Sequence, residues 1–135
     1  MNKFNIHWQI VRTKAKRIKN AHLKTEFVRD FLDNNKNVYN FGRVLNWAKM
    51  TKLGYPENSI ERVAFDELIA YMKVHQEEYD DSTDTDNDLT KISTKNLQMV
   101  FDDLSKRKYN FQFNKTPEDH KTFMIELKDE LSKRQ

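Results

Sequence analysis

Apolar residues recur along this 135-residue chain mostly at steps of three and four, the period of a helix with one face turned inward. Phe4, Trp8, Val11, Ala15 and Ile18 draw the first such stripe. The same opening alternates Phe4, Ile6, Trp8 and Ile10, a strand pattern, so we read a short extended start followed by helix from about Val11. After a restart at Asn20, the residues Leu23, Phe27, Val28, Phe31 and Leu32 form a second face, ending in Asp33-Asn34-Asn35. Phe41, Val44, Leu45 and Ala48 form a third, stopped by Gly54 and Pro56.

Asn58 with Glu61 has the spacing of a capping box, and the helix it opens would turn Ile60, Val63, Ala64, Leu68 and Met72 inward before ending near Tyr79. Ser93 or Thr94 caps a helix with Leu97, Val100, Phe101 and Leu104 inside. Tyr109, Phe111 and Phe113 alternate with polar residues, which predicts a short strand over 108–114 able to pair with the extended start over 4–10. Thr116 and Pro117, followed by Glu118 and Asp119, open a last helix that packs Phe123, Leu127 and Leu131. The fold expected is therefore mainly α. It is a single compact domain, residues 1–135, of about five helices with a two-stranded β element and an exposed acidic loop over residues 80–92.

Composition tempers this picture. Leu, Ile, Val and Phe supply 33 residues, enough for a folded core, while 33% of the chain is charged, so the core is thin. There is no cysteine, which removes disulfides and thiolate chemistry. No run of apolar residues serves as a signal peptide or membrane span, so a cytoplasmic location without membrane contact is expected. Asn, Lys, Ile, Tyr and Phe are abundant, as an AT-rich genome would encode. With the small size and dense charge, this is the style of accessory or regulatory proteins made by phages.

Charge changes the picture more. Residues 1–55 hold 12 Lys/Arg and 3 Asp/Glu, whereas residues 56–135 hold 12 and 18. Arg12, Lys14, Lys16, Arg17, Lys19 and Lys24 lie in a stretch that has no acid before Glu26, and they form the candidate surface for nucleic acid or an acidic partner. Trp8, Tyr39, Trp47, Tyr55 and Tyr109 are the candidate aromatic anchors for a partner, to the extent that they are exposed. The ordinary account of each is a solvated helix face or a core aromatic. Within the acidic tract from Glu77 to Asp88, Asp84 to Asp88 imitates the start of a calcium loop, but counted from Asp84, Leu89 and Lys95 occupy the positions that need Gly and Glu.

Catalytic patterns are missing. With only Gly42 and Gly54, no glycine-rich phosphate loop can be built. His7, His22, His75 and His120 are scattered, and the pair His75 and Glu78 has no second pair to complete a metal site. No catalytic, cofactor or metal-binding residue is assigned, and no cofactor is expected. The function expected is that of a non-catalytic adaptor or inhibitor acting on another protein. DNA or RNA binding through the basic helix is the alternative, and a structural or oligomer-forming subunit the weaker one. The sequence does not fix the partner or the oligomeric state.

Overall fold

The computed structural model describes residues 6–36, 38–79, 88–106 and 117–135, the side chains of Tyr39 and of residues 117–120 excepted. They form α1 (Ile6–Lys16), α2 (Ala21–Asn34), α3 (Val38–Lys52), α4 (Ile60–Val74), α5 (Thr94–Ser105) and α6 (Pro117–Lys133), with single 3-10 turns at Gln76–Glu78 and Leu89–Lys91. The protein is mainly α, as its periodicity requires, and no strand occurs among the described residues.

The expected extended start is corrected, because α1 is already helical at Ile6. Ile6, Trp8 and Ile10 are all buried, but so is Gln9 between them, and an alternating pattern loses its meaning where both of its faces are covered. The second expected strand, 108–114, lies outside the described residues. So do residues 80–87 of the acidic tract. The described part of the expected loop over 80–92 holds the 3-10 turn Leu89–Lys91, opened by the Asp88 side chain accepting from the Thr90 N–H at 3.0 Å.

The chain gathers into two compact units, Met1–Thr13 with Asp86–Gln135, and Lys14–Thr85. In the first, Ile6 and Ile10 join Leu97, Val100 and Leu104 of α5 and Phe123, Leu127 and Leu131 of α6 in one core, with Leu89 and Ile92 packed against it. The turn before α5 is also held from the end of α6. Arg134 donates to the carbonyls of Ile92 (2.7 Å), Leu89 (2.9 Å) and Thr90 (3.4 Å) and to Thr94 Oγ1 (3.2 Å). Glu130 lies 3.5 Å from its Nε. A guanidinium can serve so many acceptors because it presents five donors in one plane.

In the second unit, α4 packs against both α2 and α3. Asn35 closes α2, its backbone N–H donating to Leu32 and its amide to Phe31, and Asn40 donates to the Asn35 carbonyl at 3.1 Å. Val28, Leu32, Val44, Ala48, Phe65, Leu68 and Met72 fill the interior.

The turn into α4 corrects the expected cap. Asn58 has φ of 63°, a left-handed conformation that Asn tolerates but that an N-cap, which needs extended backbone, cannot use. The cap is Ser59, whose hydroxyl accepts from the Arg62 N–H at 3.2 Å. Asn20 and Ser93 cap α2 and α5 in the same way.

Two outcomes test these assignments. Gly42 sits inside α3 with nothing within 4 Å of where a Cβ would stand. Gly42→Ala is therefore expected to stabilise the protein by about 0.5–1 kcal/mol in urea unfolding, through helix propensity alone. Arg134→Ala should cost about 1.5–3 kcal/mol and speed amide exchange over residues 89–97, with Arg134→Lys recovering little of it.

Candidate interaction surfaces

The basic segment is divided by the structure. α1 is buried around much of its circumference, at Ile6, Trp8, Gln9, Ile10, Arg12, Thr13 and Ala15, where the sequence suggested one narrow stripe. Arg12 is 4% exposed, with Nη2 donating to Gln9 Oε1 at 2.8 Å, which withdraws it from the surface. Lys14, Lys16, Arg17 and Lys19 are exposed, and Lys24 is half-buried.

Lys14 and Lys16 occupy the last turn of α1, where the negative end of the helix dipole favours cations. Part of the basic cluster therefore has a plain structural account. Lys19 and Lys24 do not share it, because they flank the positive end of α2, whose first turn holds no acid. The turn between the helices is set by Arg17 and Ile18 N–H groups donating to the Lys14 and Ala15 carbonyls, both at 3.0 Å.

The aromatic candidates are placed less favourably. Trp8 is 1% exposed and Trp47 is 7% exposed, the latter tilted against Phe65 with ring centroids 5.4 Å apart. Tyr55 is half-buried on the same ring, 5.7 Å from it. The Tyr39 side chain and Tyr109 lie outside the described residues. Trp8 and Trp47 are core residues and have no surface to offer a partner.

At the opposite end of the second unit lies a polar network that sequence spacing only hinted at through His75 and Glu78. The Tyr71 hydroxyl donates to Asp33 Oδ1 at 2.7 Å, Arg29 lies over the Tyr71 ring at 5.0 Å, and the His75 ring stands 4.4 Å from it. Glu78 pairs with His75 through Nδ1 and accepts from Lys36 Nζ at 2.6 Å. These bonds draw Glu78 below the usual carboxylate range, with Lys36 the larger cause, and raise Lys36 above its ordinary value. The hydrogen bond to Asp33 likewise raises Tyr71. Acids and bases answer one another, so the cluster ties α2, α4 and the 3-10 turn together. No group of three His, Asp or Glu among the described residues could hold a metal ion.

The surface that the sequence reading missed is on α4. Ile60 and Val63, expected inside, are 83% and 51% exposed. With exposed Glu67 and Ala70, and Val74 at 79%, they form a stripe at steps of three, four, three and four, one line along the helix. A second apolar stripe (Ala64, Phe65, Leu68 and Met72) faces inward. The sequence does carry this signal, because α4 has two apolar stripes where one core face needs one. Leu23 on α2 is corrected in the same way, at 56% exposed.

Beside the α4 stripe, an open cleft of about 80 Å³ runs between α2 and α4. His22, Thr25, Glu26 and Arg29 line one wall, and Ala64, Glu67 and Leu68 the other. Compared with known proteins, the chain matches no family model, no curated protein and no solved structure.

One buried group in this unit gives a direct test. Tyr79 packs on Phe41 at 4.9 Å, and its hydroxyl is buried without a hydrogen-bond partner. Burial, aided by Asp33, pushes its pKa up from 10.0 to about 12. The fold favours the neutral phenol, so this contribution is intact below pH 10 and lost as pH rises towards about 12. Tyr79→Phe is expected to raise stability at pH 7 by about 1 kcal/mol, since an unsatisfied hydroxyl is removed. It should also reduce the loss of stability above pH 10, read by chemical denaturation at each pH.

Proposed function

We propose that this protein is a small, non-catalytic cytoplasmic adaptor or inhibitor, of the accessory kind that phages make, which acts by docking on another protein. The observation that carries this reading is the outer stripe of α4. Fully covering a side chain such as Ile60 is worth about 1.5–3 kcal/mol relative to leaving it in water. Single exposed aliphatic residues are ordinary, but Ile60, Val63 and Val74 are aligned along one helix, beside an open cleft. The exposed cations at the junction of α1 and α2 would add long-range attraction to an acidic region of such a partner.

A second reading rests on the same cations. Lys14, Lys16, Arg17 and Lys19 stand exposed close to the positive end of α2, which suits phosphate groups and supports DNA or RNA binding. The burial of Trp8 and Trp47 weighs against the stacking part of that reading, since bases need an open ring face.

One experiment separates the two. Extract from the source cells is passed over the immobilised full chain, over Ile60→Asp/Val74→Asp, and over a variant with Lys14, Lys16, Arg17 and Lys19 all changed to Glu. Circular dichroism establishes that each variant is helical. A protein retained by the wild type and by the Glu variant, and lost with the two Asp substitutions, is the expected result. Retention that disappears with the Glu variant and on nuclease treatment would replace the docking reading with the nucleic-acid one.

A further inference from the structure

We propose that the groove between α2 and α4 receives an amphipathic helix of a different protein, one with aliphatic residues at heptad spacing and a lysine or arginine opposite Glu67. This inference rests on the docking reading above and names the partner's chemistry. The stripe Ile60, Val63, Glu67, Ala70 and Val74 has the a/d spacing by which one helix meets another, and it runs the length of α4. Ala70 is small enough to let a partner helix come close. The cleft next to it, about 80 Å³, has room for a side chain of such a helix.

Charge decides what lies there. Glu67 is the only charged residue in the stripe and stands at its midpoint. Across the cleft, Glu26 adds a second carboxylate, and neither acid has an ion pair among the described residues. Arg29, the cation of that wall, is placed over the Tyr71 ring. The groove therefore presents two carboxylates against one guanidinium, and the carboxylate of Glu67 stands among the aliphatic side chains of the stripe.

A second copy of this chain also fails as the occupant. Two such stripes, packed antiparallel about their midpoint or parallel in register, bring one Glu67 carboxylate against the other. Like charges meeting at a desolvated contact oppose association. A partner with a cation at that position converts the same contact into an attraction, with the aliphatic residues closing around it.

The test uses two synthetic peptides of about three heptads, with leucine at the a and d positions apart from one central position, which is lysine in one and glutamate in the other. Binding to the full chain is measured by fluorescence anisotropy. The lysine peptide is expected to bind at least about tenfold more tightly than the glutamate peptide, a difference of about 1.4 kcal/mol. Glu67→Lys should reverse the preference, and Ile60→Asp/Val74→Asp should abolish binding of both.

Equal binding of the two peptides, or a preference that Glu67→Lys leaves unchanged, overturns the inference. So does binding of neither peptide, or a dimer in light scattering that Ile60→Asp dissolves. In each of those cases the docking reading stands or falls separately, on whether the captured protein is lost with Ile60→Asp/Val74→Asp.

Discussion

Two helices lean on α4, and both use the same side of it. Ala64, Phe65, Leu68 and Met72 receive α2 and α3 within one arc, and that contact sets the second unit. Phe65 gathers Trp47 and Tyr55 around its ring, Lys52 reaches Asp66 at 2.5 Å, and Arg62 donates to the Tyr55 carbonyl at 2.8 Å. Three helices cannot wrap one another completely, so some of each stays in water. On most helices the uncovered arc is polar. On α4 it is aliphatic, and the functional reading follows from that one departure.

The two ends of this unit contrast in how charge is handled. Around Tyr71, Asp33 accepts from the tyrosine hydroxyl and Glu78 pairs with both Lys36 and His75, so these side chains serve cohesion. Paired charge of this kind holds the unit together. At the start of α2 the first turn holds no acid, and the helix dipole adds to the field of the exposed cations there.

Much of this was legible in the chain. The stripes of α5 and α6 were read as they stand, because Leu97, Val100, Leu104, Phe123, Leu127 and Leu131 serve one core and face one way. Asn20 and Ser93 also announced their helices. Reading failed where a helix had more than one covered or apolar face. In α1, Gln9, Arg12 and Thr13 are buried beside Trp8, and periodicity cannot distinguish a polar residue in water from one in a buried hydrogen bond. In α4, Ile60 and Val63 looked like core because apolar character does not say which of two stripes has a neighbour. The hydrogen bonds of Arg134 span 40 positions or more and leave no local trace.

The chain's 2 tryptophans are both buried, and they belong to different units, Trp8 to the first and Trp47 to the second. Each unit thereby carries its own fluorophore, shielded from water in the native state. A chain that keeps Trp8 and one that keeps Trp47 would each emit from a single site, with a red shift when that site meets solvent. Whether the two halves of the molecule melt in one event or in succession can be followed optically, without attaching any label.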